Sequence, residues 1–403
     1  MAFSIPLSSI RSIVILATLL QPSLAVPQAC SVITPAATPV FASGYSGRVV
    51  VNRLKSPRGG GIRRITFTDN GGTDVCIKSS AQIIKDNTLL TLKLNHGIEL
   101  SPDGRTLYVS SLTNLYSYPY DPDTGTVGAN KTLTVPDTLL MQRGSDGNID
   151  PGASDVKSGR SQVRIFSMSK LNASTAPNDY STSGTLLGYG LRNSVGWAEH
   201  PISGGICSVE NNADDIIRSG IDIHTNNPGE EMNYHGILND TKSPQRGADY
   251  GYPTCFAAWD TSVLPTNTNL RIGSQFVLND LNTTNTDSTC SGKANPRLTF
   301  PAHTAPLDMK FKKDGSAAYV SFHGSWDRAP PDGFRVSRIA FGKDGMPIEG
   351  SESKNSTVDV MWNTDNTKCP NGCFRPTAFA FDSKERLFMS SDQSNEIWII
   401  GGT

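Results

Sequence analysis

Long apolar runs are missing beyond residue 25, and so is any excess of charge. The chain carries 36 Lys and Arg against 37 Asp and Glu. A near-neutral protein has no electrostatic footprint for a nucleic acid, and no polybasic stretch for an anionic membrane surface. The long 3.6-residue period of amphipathic helices is nearly absent as well. The motif vocabulary is thin: there is no Gly-x-Ser-x-Gly elbow, no phosphate loop and no His-Glu-x-x-His, so a serine hydrolase or a zinc protease has no support. Gly (37) and Pro (25) lie close to average usage, which excludes collagen-like and low-complexity chains.

The first 25 residues stand apart. Arg11 is their only charge, an apolar run follows it, and Ser23-Leu24-Ala25 supplies small residues for cleavage. This reads as a secretory signal peptide, too short in its apolar run for a membrane span, with an anchor or a buried helix as the alternative. A secreted chain predicts disulfides among the seven cysteines. Cys369 and Cys373 flank a turn and are the easiest pair to close. Cys255 with Cys290 and Cys30 with Cys76 are the further pairings, leaving Cys207 as a buried free thiol in a strand-like run. Asn130, Asn172, Asn239, Asn282 and Asn355 head glycosylation sequons.

Short strand-like runs separated by Gly, Asn, Asp and Pro fill the rest. One phrase recurs: an apolar residue, a turn, Gly, then an alternating apolar strand. It occupies residues 98–110 and 309–321, and residues 379–390 repeat it without the Gly; residues 65–71 and 197–206 are looser copies. Hairpins repeated from one end of the chain to the other predict an all-β fold, a β-propeller, over residues 26–403 as one domain. Six blades would take roughly 63 residues each.

In a propeller the inner strands of all blades start near one end of the axis, so polar residues at those starts converge. His96, Arg192, Asn193, His303, His323, Arg328 and Arg375 each lie beside a repeat copy. Converging Arg and His suit a planar anionic ligand, because Arg grips carboxylates in a bidentate fashion and a neutral His serves as a base near pH 7. Each also has a plain structural reading. His96 fits a satisfied turn histidine, Arg192 and Arg375 structural ion pairs, His303 a loop between prolines, and Arg58 a solvated charge. Trp326 reads equally as core packing or as a stacking platform. The acidic pairs Asp214-Asp215 and Glu230-Glu231 read as solvated or cation-binding loops.

Taken together, the segments resemble the pyrroloquinoline quinone (PQQ)-dependent sugar dehydrogenases, and within them the secreted fungal pyranose (sorbosone-type) branch. The likeness rests on Leu54-Lys-Ser-Pro-Arg-Gly59, Leu94-Asn-His-Gly-Ile98, Arg143-Gly-Ser-Asp-Gly-Asn-Ile-Asp150 and Gly188-Tyr-Gly-Leu-Arg-Asn-Ser-Val-Gly-Trp197. Ser208-Val-Glu-Asn-Asn-Ala-Asp-Asp215, Pro301-Ala-His-Thr-Ala-Pro306, Val320-Ser-Phe-His-Gly-Ser-Trp-Asp-Arg328 and Phe374-Arg-Pro-Thr377 complete it, in the family's order. The resemblance implies a six-bladed propeller with PQQ and calcium at the mouth of its axis. It further implies a sugar substrate and an external electron acceptor such as a cytochrome or copper enzyme, in a secreted monomer. It places Arg192, Asn193, His323 and Arg375 on the cofactor, with Arg58, His303 and Arg328 around the same pocket. Backbone carbonyls of Asn211, Asn212 and Ala213 fall where calcium binds.

The chain departs from the family at one place. The family's base histidine precedes the Arg-Gly-Ser segment, and here residues 130–143 hold none. The expectation is a shortened second blade, a gap on one side of the axis, and His96 as the remaining base, with His303 second. A calcium-dependent propeller lactonase or esterase, and a non-catalytic ligand-binding propeller, are the alternatives.

Overall fold

The computed structural model describes residues 29–54, 61–85, 94–111, 114–129, 138–167, 179–265, 269–278 and 280–402. The leader, Arg58, residues 130–137 and the sequons at Asn130 and Asn172 lie outside them, as do the side chains of Asn95 and His96. The fold is a β-propeller. Its one described α-helix is the single turn Tyr180–Ser183.

Five antiparallel sheets succeed one another along the chain. The first holds Leu94–Leu100, Thr106–Ser111 and Leu115–Pro119; the second holds Thr138–Arg143, Gln162–Ser167 and Thr185–Tyr189, with Ala248–Asp249 added in parallel. The third runs Ser194–Glu199, Gly205–Glu210, Glu230–Ile237, Leu298–Phe300. The fourth runs Pro306–Phe311, Ala317–Phe322, Arg335–Ala340, Val358–Asn363, with Pro39–Phe41 outermost. The fifth closes the chain on itself: Tyr45–Val51 pairs with Glu396–Gly402, beside Leu387–Ser391 and Pro376–Phe381. Between the fifth and first sheets stands a two-stranded ribbon, Ile62–Asp69 with Val75–Ile84. Six blades were expected, the second of them shortened or incomplete; among the described residues the ring shows five sheets of three or more strands and this ribbon, and the second sheet has four strands.

Stacking of sheets face to face explains the burial. Second strands such as Gly205–Glu210 and Ala317–Phe322 are buried at every position, because both faces are covered. Val209, Met232, Val320 and Phe322 join the third sheet to the fourth, and Val336, Phe374, Met389 and Trp398 join the fourth to the fifth. Val51, Ile65 and Ile399 carry the contact on to the ribbon, and Ile62, Leu107 and Tyr118 from the ribbon to the first sheet. Val163, Leu187 and Tyr250 fill the space between the second sheet and the third. Among the described residues no such cluster joins the first sheet to the second. Residues 130–137, in the segment where a shortened second blade was expected, lie outside the described residues; the second sheet has four strands, and among the described residues its edge strand Thr138–Arg143 pairs only with Gln162–Ser167.

The three clear repeat copies fall in three different sheets, the first, fourth and fifth. Their turns need one residue at positive φ: Gly104 at 68° and Gly315 at 71° supply it freely, whereas Glu385 adopts 58° in the third. Asp382 compensates there, its Oδ1 accepting from the backbone N–H of both Lys384 and Arg386 at 2.9 Å. The disulfides are Cys30–Cys76, Cys255–Cys290 and Cys369–Cys373, and Cys207 is free and buried, as expected.

Candidate functional site

A pocket of about 280 Å³ opens where the strands beginning at Ser194, Pro306 and Pro376 start. Arg192, Asn193, His303, His323 and Arg375 all line it, so residues remote in sequence meet at one mouth. Both guanidinium-bearing residues therefore face the pocket and not the outer surface.

Their bonding differs. Arg375 donates from Nε to the His323 carbonyl (3.1 Å), and from Nη2 to His323 Nδ1 and the Gly324 carbonyl (both 3.0 Å). Its Nη1 has no partner among the described residues. Arg192 spends every donor on the protein. Nε and Nη2 reach the carbonyl and Oδ1 of Asn148 at 3.2 and 3.1 Å. Nη1 bonds the carbonyls of Asn211 and Asn212, and Nη2 pairs with Asp214 Oδ2 at 3.0 Å. Its role in the structure is to hold the loop of residues 211–214 rather than to offer a free fork. The Asn211 and Asn212 carbonyls expected for calcium thus already accept from a cation. The Asn193 side-chain amide has no described partner.

His323 is fixed on both sides, with Nδ1 accepting from Arg375 and Nε2 3.0 Å from Asp392 Oδ1. His303 is buried, its Nε2 2.6 Å from the His224 carbonyl, an acceptor only, so that nitrogen carries a proton. Its Nδ1 faces Asp214 Oδ1 at 3.4 Å. Burial works against its charge, but Asp214, Glu230 and the His224 carbonyl outweigh it and hold the pKa above the ordinary value. His303 is therefore a poor second candidate for a base. Arg328 does not line the pocket; it bonds the carbonyls of Pro330 and Ala302 at 3.2 and 3.1 Å and faces Asp332. His96 sits in the strand Leu94–Leu100, next to an irregularity in register between Leu94 and Ile98.

The acidic pairs read as solvated or cation-binding loops are part of the site. Glu230 and Glu231 are 3% and 4% exposed, because they open a strand covered by both neighbouring loops. Glu230 lines the pocket and accepts from the backbone N–H of Asn212 (2.7 Å) and Ala305 (3.2 Å). Burial pushes its pKa up to about 7, and Glu231 beside it likewise. Glu210, also buried, is raised above its ordinary value by burial and by Glu231. Asp214, His303 and Asp327 cluster with their ligand atoms within 4.8 Å, and Asp327 in turn raises the pKa of Asp215. Sequence reasoning missed Asp214, Glu230 and Asp327 as site residues. The available signal was their position on loops leaving buried strands at the same end as Arg192. A secondary core beneath, including Ala213, Ile216, Phe256 and Phe276 and tied by Cys255–Cys290, supports the loop of residues 211–215.

The family model described as TrAA12-like matches residues 39–403. The pyrroloquinoline quinone-dependent sugar dehydrogenase of Hypocrea jecorina is 39% identical over 398 residues, covering 90% of this chain and 89% of that protein. The pyrroloquinoline quinone-dependent pyranose dehydrogenase of Coprinopsis cinerea is 35% identical over 87% of this chain, which spans 50% of that longer protein. Among solved structures, the calcium structure of the Trichoderma reesei family AA12 enzyme superposes with a TM-score of 0.86 at 39% identity, over 94% of this chain and all of that one. The holo form of the Coprinopsis cinerea pyranose dehydrogenase PQQ domain gives 0.82 at 31% identity, over 92% and 99%. With the family model matching residues 39–403 and a relative 39% identical over 90% of the chain, the chain belongs to the TrAA12-like family.

Proposed function

We propose that this chain is a PQQ- and calcium-dependent sugar dehydrogenase acting at the pocket between Arg192 and Arg375, and that it passes electrons to an external acceptor after secretion. The observation that carries the reading is the convergence of Arg375, His323, Asn193 and Arg192 from separate sheets onto one cavity. Its size lies close to the lower end of the roughly 300–1,000 Å³ of small-molecule sites. The donors fit a planar polycarboxylate: among the described residues Arg375 Nη1 and the Asn193 amide are uncommitted. When bound, PQQ supplies a quinone that accepts the hydride equivalent from the sugar carbon. Calcium is an oxygen-seeking ion, and the oxygens at that end belong to residues 211–214. The Asn211 and Asn212 carbonyls, each with a second lone pair beside the bond from Arg192, and the Asp214 carboxylate would hold it.

This chain's own tasks are then to orient the cofactor and to take the hydroxyl proton. His303 and His323 already spend their ring nitrogens, so His96 is the residue we assign to the proton, with Arg58 an added contact to the cofactor. Among the described residues the ribbon Ile62–Asp69/Val75–Ile84 stands in the place of a sixth blade. Family membership sets the lactonase reading aside. One observation favours the second reading, a binding propeller without turnover: no described pocket histidine has a free ring nitrogen. Purified protein loaded with PQQ and calcium should reduce a dye with aldoses or pyranoses, and H96A should lower turnover by on the order of 10²–10⁴. Cofactor binding without dye reduction would leave the second reading standing.

A further inference from the structure

Of the five tryptophans, four are buried or half-buried, and Trp326 is 72% exposed. It lines the same pocket, at its rim. Its neighbours are the opposite. Ser325 and Asp327 are 6% and 8% exposed. Ser325 exchanges two bonds with Asp332, its N–H to the Asp332 carbonyl at 2.8 Å and its Oγ accepting from the Asp332 N–H at 2.9 Å. Asp327 Oδ2 accepts from the Asp215 N–H at 2.8 Å, across to a loop of the next sheet. Gly324 lets the chain turn at φ 100°, where a Cβ would stand 2.2 Å from the buried ring of Phe334. The backbone on both sides of Trp326 is thus pinned while the largest apolar side chain available is held out into water.

An anchored indole left in water forgoes burial worth roughly 25 cal/mol per Å², and exposed apolar surface at a polar pocket marks a ligand contact. The inner wall presents charged and amide donors, suited to carboxylates. The indole presents a flat, weakly negative face with an N–H at its edge, suited to the C–H face of a sugar ring. We propose that Trp326 is the platform on which a pyranose stacks its C–H face, outside the space taken by the cofactor, which makes it a specificity-determining residue that favours closed rings over open-chain polyols. This rests on the proposed function.

The test is ligand-observed saturation-transfer NMR on protein loaded with PQQ and calcium. The probes are methyl β-D-glucopyranoside, which has no free C1 hydroxyl to oxidise, and D-mannitol. Wild-type protein should bind the glycoside and not mannitol. W326A should lose on the order of tenfold in affinity for the glycoside with PQQ affinity unchanged, and W326F should keep most of it. Equal glycoside binding by wild type and W326A, or no glycoside binding by either, overturns the proposal. A parallel fall in PQQ affinity overturns it too, because the ring would then be packing the cofactor. Failure of PQQ to load at all is a different result, and counts against the proposed function itself.

Discussion

Arg192 and Arg375 look alike in the sequence, each an Arg just before a strand, and only the structure separates them. Arg375 keeps one nitrogen uncommitted, so R375A should weaken PQQ binding by about 1.5–3 kcal/mol, one charge-assisted bond, in a calorimetric titration. Arg192 ties five acceptors in the loops at residues 148 and 211–214. R192A should therefore lower the melting temperature of the cofactor-free protein as well as the affinity. Equal melting temperatures for wild type and R192A would contradict its positioning role. Glu230 gives a pH signature. Its folded pKa of about 7 stands above the ordinary 4.5, so between those values the folded protein holds a proton that the unfolded chain has released. Stability is then highest at the acid end of that window and falls as pH rises through it. E230Q should flatten part of the fall in melting temperature from pH 5 to 7.5, with Glu231, Glu210 and His303 contributing to the remainder. An unchanged slope would show that another group carries it. The convergence of the cationic and amide residues was legible because strand starts in a propeller share one end. The carboxylates were not, because adjacent acids read as solvent-facing until packing shows both neighbouring loops covering them.

At the scale of elements, the repeated hairpins announced themselves through a fixed turn and an alternating strand, and they lie in separate sheets. The third copy held despite its missing glycine, because Asp382 replaces with two hydrogen bonds what glycine gives by lacking a side chain. The two-stranded ribbon was less legible. Ile62–Asp69 reads like any other strand, and nothing local in it signals a sheet of two strands among the described residues. Shortening was expected near residues 130–143, of which 130–137 lie outside the described residues, and the sheet that holds Thr138–Arg143 has four strands. Among the described residues Thr138–Arg143 is an edge strand, with intermediate or exposed residues throughout and no described cluster joining it to the first sheet. Amides that lack a second neighbouring strand open locally at low cost. Hydrogen exchange followed by mass spectrometry should show residues 138–143 exchanging orders of magnitude faster than Gly205–Glu210 or Ala317–Phe322, the fully buried second strands. Comparable protection would mean that the edge is covered.

For the molecule as a whole, the ring is held by Tyr45–Val51 clasping Glu396–Gly402, so the two ends of the chain build one sheet. That closure sets the distances across the mouth, and therefore whether Arg375, on the closing sheet, and Asn193, on the third, can grip one ligand together. The proposed activity depends on that shared grip. The most direct measurement is a calorimetric titration of PQQ into the purified, cofactor-free protein, with calcium present and then with calcium removed by a chelator. A shared grip predicts binding at one PQQ per chain, weakened when calcium is withdrawn and weakened again by R375A. No binding in the presence of calcium, or binding indifferent to both calcium and Arg375, would contradict it.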